Sequence, residues 1–217
     1  TDELIYEGEK AMEQEKIVYA ALLGLGTVGG GVYKVLKSQE SETEKKLGTQ
    51  IKIKKILVRN TEKAAGKLPE EDRGLLTNSW EEILQDPEIS IVIELVGGIK
   101  AAKTYISEAL QAGKHVVTAN KDLIAVHGKE LFDLAEENNR DFLFEAAVAG
   151  GIPIIRPLKQ CLAGNHMTEV MGIVNGTTNF ILTKMSQEGM EFEEALALAT
   201  DLGYAEADPT ADIEGID

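Results

Sequence analysis

Several things are scarce in this chain, and each scarcity removes a class of function. Among its 217 residues there is one cysteine, Cys161. An internal disulfide framework is therefore excluded, and a reducing cytoplasm fits. Cys161 follows an apolar helical pattern and reads as a buried, inert thiol. No apolar run approaches the ~20 residues of a membrane span. No basic start leads into an apolar core, so no signal peptide is expected. Basic residues are outnumbered, 22 Lys and Arg against 37 Asp and Glu, for a net charge of −15. That balance argues against nucleic acid, whose phosphates are held by clustered cations, and against an anionic membrane surface. The three histidines, His115, His127 and His166, are scattered without ligand spacing, and no zinc site is expected. No internal repeat or low-complexity tract appears.

What is present describes an ordinary globular protein, 43% hydrophobic and 27% charged, long enough for one large or two small domains. Residues 1–16 read as an extension or tag. From Ile17 onward, short β-like runs alternate with helical ones. Strands are expected at Ile17–Leu23, Ile51–Arg59, Ile89–Val96, His115–Thr118 and Phe142–Ala146. Between them lie helices at Val28–Leu36, Trp80–Leu84 (capped by Ser79), Ala101–Gln111 and Lys129–Asn139, with Ser38–Gln50 as helix end plus loop. Strands separated by single helices imply a parallel sheet wrapped on both faces. Gly150-Gly151-Ile152-Pro153 punctuates the chain as a domain boundary, giving domains 17–149 and 150–217. Beyond it a helix (Ile155–Leu162), a strand (Thr168–Val174) and helices at Thr178–Glu188 and Phe192–Leu202 are expected. The last presents Ala195, Leu196, Ala199 and Leu202 to a core.

The segment Gly24-Leu25-Gly26-Thr27-Val28-Gly29 is a GxGxxG turn directly after a strand and opening a helix. In that context the first glycine allows the tight turn, the second lets backbone approach a pyrophosphate, and the third lets helix and strand pack closely. The diphosphate meets free N–H groups at the helix N-terminus. In a chain this acidic, a phosphate site must rely on such local geometry and dipoles. Gly24, Gly26, Thr27, Val28 and Gly29 are thus candidate cofactor contacts, in a Rossmann-like, doubly wound α/β fold. The second strand of such a fold ends in an acid when the cofactor is NAD. Here Arg59 and Asn60 stand there, followed by Thr61 and Lys63. A guanidinium matches a 2′-phosphate, which admits NADP as well as NAD; a solvated arginine at a strand end is the other reading.

Three later segments are more specific. Gly113-Lys114-His115-Val116-Val117-Thr118-Ala119-Asn120-Lys121 carries a lysine just past a strand's carboxyl end, where doubly wound sheets place ligands. Glu145-Ala-Ala-Val-Ala-Gly-Gly-Ile-Pro153 is a link rich in small residues. Gly203-Tyr-Ala-Glu-Ala-Asp-Pro209 runs into Asp212-Ile-Glu-Gly-Ile-Asp217, dense in carboxylates. With Gly172-Ile-Val-Asn-Gly-Thr-Thr-Asn179, this set resembles homoserine dehydrogenase from about Ile17 to Asp217.

The resemblance implies an NAD(P)-dependent oxidoreductase that interconverts L-homoserine and L-aspartate 4-semialdehyde, in threonine and methionine biosynthesis. It implies part of an α+β catalytic and dimerisation domain after the nucleotide domain, and a homo-oligomer in the full-length protein. Lys121 then lies beside nicotinamide and substrate, as a catalytic and cofactor-binding residue. Glu206 takes the substrate's amino group, and Asp212, Asp217 and Thr177 line the same pocket, with Glu206 and Asp217 counted as catalytic. Backbone carbonyls of Glu145, Val148, Gly150 and Ile152 match a loop that holds a sodium ion in some members, a cation suited to oxygen ligands alone. The family signature continues with a proton-transferring lysine four residues after the last aspartate. The sequence stops at Asp217, so the chain as given is expected to bind cofactor and to show little turnover. Taken singly, Lys121 also reads as a solvated lysine, Glu206 and Asp208 as a turn before Pro209, and Asp212 as a helix cap.

A nucleotide sensor without catalysis explains the glycine turn but leaves the carboxylates after Gly203 without use. Aspartate-semialdehyde dehydrogenase would need a nucleophilic cysteine, and no such motif surrounds Cys161.

Overall fold

The structure, a computed structural model, describes residues 17–205 together with Thr210 and Glu214. Glu206, Asp212 and Asp217 lie outside the described residues, as do residues 1–16. Two compact units form, one ending at Cys161 and the other starting at Leu162.

The first unit is built on six parallel strands: β1 (Ile17–Leu23), β2 (Gln50–Leu57), β3 (Leu76–Thr77), β4 (Ile89–Glu94), β5 (His115–Thr118) and β6 (Phe142–Leu143). Their order across the sheet is β3-β2-β1-β4-β5-β6, the two-half arrangement of a doubly wound fold. Helices α1 (Thr27–Ser38), α2 (Glu40–Leu47), α3 (Thr61–Ala65), α4 (Trp80–Leu84), α5 (Lys100–Gln111) and α6 (Lys121–Glu137) connect them. Parallel strands need such crossovers, and covering both faces explains why β1 reads as a continuous apolar run. Ala20, Ala21, Leu22 and Leu23 are fully buried. Alternate residues serve opposite faces: Ala21, Leu23 and Val92 join Ile106, Leu110, Leu123 and Leu131, whereas Leu22 and Ile56 join Tyr33, Ala64 and Leu68. Each fully buried Leu or Ile contributes about 1.5–3 kcal/mol.

Strand β2 is half-buried over most of its length and fully buried only at Ile56 and Leu57. The reason is its outer neighbour: β3 pairs with Ile56 and Leu57 alone. A 3₁₀ turn at Glu70–Leu75 precedes β3 and is fastened to α1, where the Tyr33 hydroxyl donates to Asp72 and Lys37 pairs with the same carboxylate at 2.9 Å. Burial, then the bond to Asp72, push the Tyr33 phenol well above its ordinary range. Asparagine and serine side chains start the helices: Asn60, Ser79 and Asn120 each accept from the backbone N–H three residues on.

Several boundaries differ from those expected. The polar stretch Ser38–Gln50 contains a separate helix, α2, with glutamates in its first turn, lysines in its last and Gly48 at φ 66 closing it. Helix α6 starts at Lys121 rather than Lys129, because Asn120 caps it there. Strand β6 stops at Leu143, and Glu145–Ala147 form a 3₁₀ turn instead of a strand end. A π-type turn at Pro157–Cys161 occupies the expected helix after the Gly-Pro link and buries none of its residues. Cys161 is consequently exposed, which corrects the expectation of a buried thiol.

In the second unit, α7 (Gly176–Glu188) and α8 (Phe192–Asp201) pack through Ile181, Ala195 and Ala199, with Phe180 and Leu196 alongside. Ala195 and Ala199 are core, as expected, while Leu202 is exposed. The expected strand at Thr168–Val174 is absent: among the described residues no strand pairs with it. Its apolar side chains lie open, with Val174 at 91% exposure and Met171 at 84%. A run rich in apolar, β-branched residues makes a strand only where a neighbouring backbone accepts the ladder.

Candidate functional site

The C-terminal ends of β1, β2, β4 and β5 share one edge of the sheet, and the candidate site residues of the first unit lie along it. At β1 the chain turns through Gly24 to Gly26 into α1. Two of the three glycines are required by the protein's own packing. Gly24 has φ +97, and a Cβ there would sit 2.7 Å from the Leu95 carbonyl oxygen. At Gly29 a Cβ would lie 2.2 Å from the Gly24 oxygen. Gly26 differs: its backbone is extended, and a Cβ would meet nothing within 4 Å. The space above Gly26 is open. Helix α1 has no side-chain cap and no acid in its first turn, so its N-terminal N–H groups and dipole face that space without competition.

A cleft of about 600 Å³ opens beside this turn. Gly24, Gly26, Val96 and Gly97 line it together with Arg59, Asn60, Lys63, Lys67 and, on α5, Tyr105. Arg59 is exposed at the end of β2, and among the described residues no ion pair is recorded for it. Lys67 reaches across to the turn and donates to the Leu25 carbonyl at 2.7 Å. Three cations at one rim of an acidic protein supply the local field that its net charge opposes. The donor set fits a dinucleotide: an open helix N-terminus for the diphosphate and a guanidinium with lysines for a further phosphate.

Lys121 is the first residue of α6, exposed at the same sheet edge beyond β5, but it does not line this cleft. Thr27, Val28 and Gly29 do not line it either; Thr27 and Val28 are exposed, and Gly29 is buried by the packing just described. At the ends of β4 and β5 a fully buried carboxylate, Glu94, accepts from the Thr118 hydroxyl at 2.7 Å and from Val96 N–H at 2.8 Å.

Glu145, Val148, Gly150 and Ile152 fall on one loop of the first unit. The Glu145 carboxylate is occupied, accepting backbone N–H groups from Ile154 (2.6 Å), Ile155 (2.9 Å) and Arg156 (2.7 Å). Burial pushes this carboxyl up, but those bonds and the Arg156 charge outweigh it and hold it below the usual carboxylate range. The Glu145 carbonyl accepts from Val148 N–H at 3.2 Å, and Ala149 (φ 56) and Gly150 (φ 60) turn the loop. Thr177, in the second unit, donates through its hydroxyl to the Tyr204 carbonyl at 2.7 Å, beside the Phe180–Tyr204 ring contact.

Lys67, Tyr105 and the Glu94–Thr118 pair were not singled out by sequence reasoning. For Glu94 a signal existed, a lone acid ending the apolar run Ile89–Ile93. Lys67 and Tyr105 carry no such mark, since only the crossovers bring them to the cleft.

A parallel sheet in this order, with a glycine turn feeding an uncapped helix and a phosphate-matched cleft, defines a dinucleotide-binding Rossmann domain. Comparison with known proteins gives the family. The family model described as "Homoserine dehydrogenase, NAD binding domain" matches residues 24–145, and that described as "Homoserine dehydrogenase" matches residues 153–217. The chain belongs to the homoserine dehydrogenase family. It is 50% identical over 203 residues to the homoserine dehydrogenase of Bacillus subtilis (strain 168), covering 93% of this chain and 46% of that protein. The Lactococcus lactis homoserine dehydrogenase is 49% identical, with 92% and 47% covered. Among solved structures, a homoserine dehydrogenase from Thiobacillus denitrificans superposes with a TM-score of 0.83 at 47% identity, covering 93% and 46% of the two chains. A hyperthermophilic archaeal homoserine dehydrogenase in complex with NADPH gives 0.74 at 31% identity, covering 92% and 66%. The chain spans about half the length of the curated relatives it matches.

Proposed function

We propose that this chain holds the nicotinamide dinucleotide of an enzyme interconverting L-homoserine and L-aspartate 4-semialdehyde, with NADP favoured over NAD. The observation that carries the cofactor preference is the cation rim: Arg59 follows the end of β2, where an NAD-specific fold places an acid, and Lys63 and Lys67 line the same cleft. When bound, the nicotinamide supplies or accepts the hydride. The chain's own residues bind and orient. The α1 N-terminus and the free space at Gly26 seat the diphosphate, and Arg59 reads the 2′ position. Lys121, at the sheet edge where ligands of this fold collect, stands by the nicotinamide and substrate. Glu206, Asp212, Asp217 and Thr177 are the substrate-binding set, in which the carboxylates take the ammonium group; Glu206 and Asp217 also serve the chemistry. The carbonyls of Glu145, Val148, Gly150 and Ile152 are the sodium ligands. Occupation of the Glu145 carboxylate by three N–H groups supports a structural part for its side chain, so its metal donor is the second lone pair of the carbonyl that also accepts from Val148 N–H. The cysteine count supports a reducing cytoplasm, and family membership supports a homo-oligomer.

Titration calorimetry of the intact protein with NADP, NAD and then L-homoserine tests the reading. NADP binding tighter than NAD, followed by homoserine binding to the nucleotide complex, is the expected result. Nucleotide binding with no response to homoserine would instead mark a sensor.

A further inference from the structure

A fully buried carboxylate ends strand β4, whose other residues are apolar except Ser90, and among the described residues no cation pairs with it. Burying a carboxylate is expensive, and an apolar residue there would stabilise the sheet more simply. Glu94 therefore has a use that stability alone does not explain. Its hydrogen bonds indicate what that use is. One carboxylate oxygen accepts from Val96 N–H, in the loop between β4 and α5; the other accepts from Thr118, directly across the ladder on β5. Thr118 in turn accepts from Asn120 N–H at 3.1 Å. The Asn120 side chain caps α6 through Leu123 N–H and donates back to the Gly98 carbonyl at 2.7 Å. The circuit is closed: two loops are joined at their roots by Glu94 and Thr118 and at their tips by Asn120 and Gly98.

The circuit also has a direction. Thr118 accepts from Asn120 N–H and donates its own hydroxyl to Glu94, and Val96 N–H donates to the other oxygen, so Glu94 acts as an acceptor at both oxygens. In a doubly wound fold each half of the sheet serves one mononucleotide, and β4 and β5 belong to the half opposite the glycine turn. One loop of the circuit brings Gly97 to the cleft, and the other ends in Lys121. We infer that Glu94 is a positioning residue, holding the β4–α5 loop and the start of α6 in register so that Lys121 meets the nicotinamide half of the cofactor. The inference rests on the proposed cofactor reading.

The test uses Glu94→Gln, Thr118→Val and the conservative Thr118→Ser in the intact protein. Glutamine keeps the size but replaces one acceptor with a donor, so one of the two bonds to position 94 is lost or reversed. Two ligands separate positioning from general damage: NADPH, and 2′,5′-ADP, which lacks the nicotinamide half. Expected for Glu94→Gln and Thr118→Val are an unchanged 2′,5′-ADP affinity and an NADPH affinity weakened about 10-fold or more. The rate constant kcat should fall with KM for homoserine little changed, and Thr118→Ser should behave like the parent. Equal losses for both ligands, tracking a lowered melting temperature, would mean that the circuit only stabilises the sheet. Unchanged NADPH affinity and kcat would also overturn the inference. A parent protein that binds neither nucleotide would refute the cofactor reading itself, and this inference with it.

Discussion

The two glycines Gly26 and Gly29 are three residues apart in one turn, yet the structure assigns them unlike duties, and the pair can be separated by experiment. At Gly29 an added methyl would press on main-chain atoms of the same turn, 2.2 Å from the Gly24 oxygen and 3.0 Å from its carbon. That turn cannot yield freely, because Gly24 N–H is bonded to Leu57 at 2.9 Å and Leu95 N–H to Leu23 at 2.9 Å. Overpacking a rigid contact costs about 1–3 kcal/mol. For a chain of this size each kcal/mol moves the melting temperature by about 2–4 °C, so Gly29→Ala should melt roughly 2–12 °C below the parent. At Gly26 the backbone is extended and the surroundings are empty. Gly26→Val should change stability by less than about 1 kcal/mol, since the new side chain meets no protein atom. It fills the diphosphate's approach instead, and NADP and NAD should both bind at least ~10-fold more weakly, a loss of about 1.4 kcal/mol or more. Thermal melts without nucleotide and calorimetry with each nucleotide measure the two effects apart. A Gly26→Val protein that keeps full affinity for both cofactors would refute the account, as would a Gly29→Ala protein that melts with the parent.

Arg59→Glu should weaken NADP by at least ~10-fold while leaving NAD much less affected, because it puts an anion beside the 2′-phosphate; equal losses in calorimetry would remove Arg59 from that role. Asp72 is held below the ordinary aspartate range, first by the Tyr33 hydroxyl and also by Lys37. A carboxyl depressed in the folded state stabilises above its unfolded value of about 3.9 and loses that contribution as pH falls through the folded value. Asp72→Asn should therefore lower stability by about 1–3 kcal/mol at pH 7. The gap from the parent should narrow below about pH 4, read by melts between pH 3 and 7. A gap that stays constant with pH would show that the carboxylate's charge is not what matters.

Much of the first unit was legible in the sequence because each strand announces itself by local chemistry. Ile17–Leu23 is apolar on both faces since helices cover both, and Trp80–Leu84 begins where Ser79 can cap it. The start of α6 was misjudged by eight residues because the Asn120 cap outweighs the weaker apolar periodicity of its first turns. The run Thr168–Val174 has the composition of a strand, but strand formation depends on a neighbour elsewhere in the chain, which local pattern does not report. The site divides in the same way. Gly24, Gly26 and Arg59 follow from a turn and a strand end close in sequence, whereas Lys67 meets Leu25 only after 42 residues of crossover. Glu94 stood in plain view as a lone acid, but its meaning needed Thr118 and Asn120 on another strand and loop.

The brevity of β3 has a consequence for the protein's life in a crowded solution. Because β3 ladders with only Ile56 and Leu57, the rest of the outer side of β2 lacks a strand partner among the described residues. Such a margin invites a strand from another molecule to add itself, the first step toward aggregation. Three of the residues there, Lys52, Lys54 and Lys55, are each engaged by an acid of another segment: Glu40 at 3.6 Å, Asp86 at 2.7 Å and Glu82 at 3.2 Å. An incoming backbone would have to strip water from these charges and displace their partners. The lysines thus act as gatekeepers, and the short edge remains unattractive to other chains.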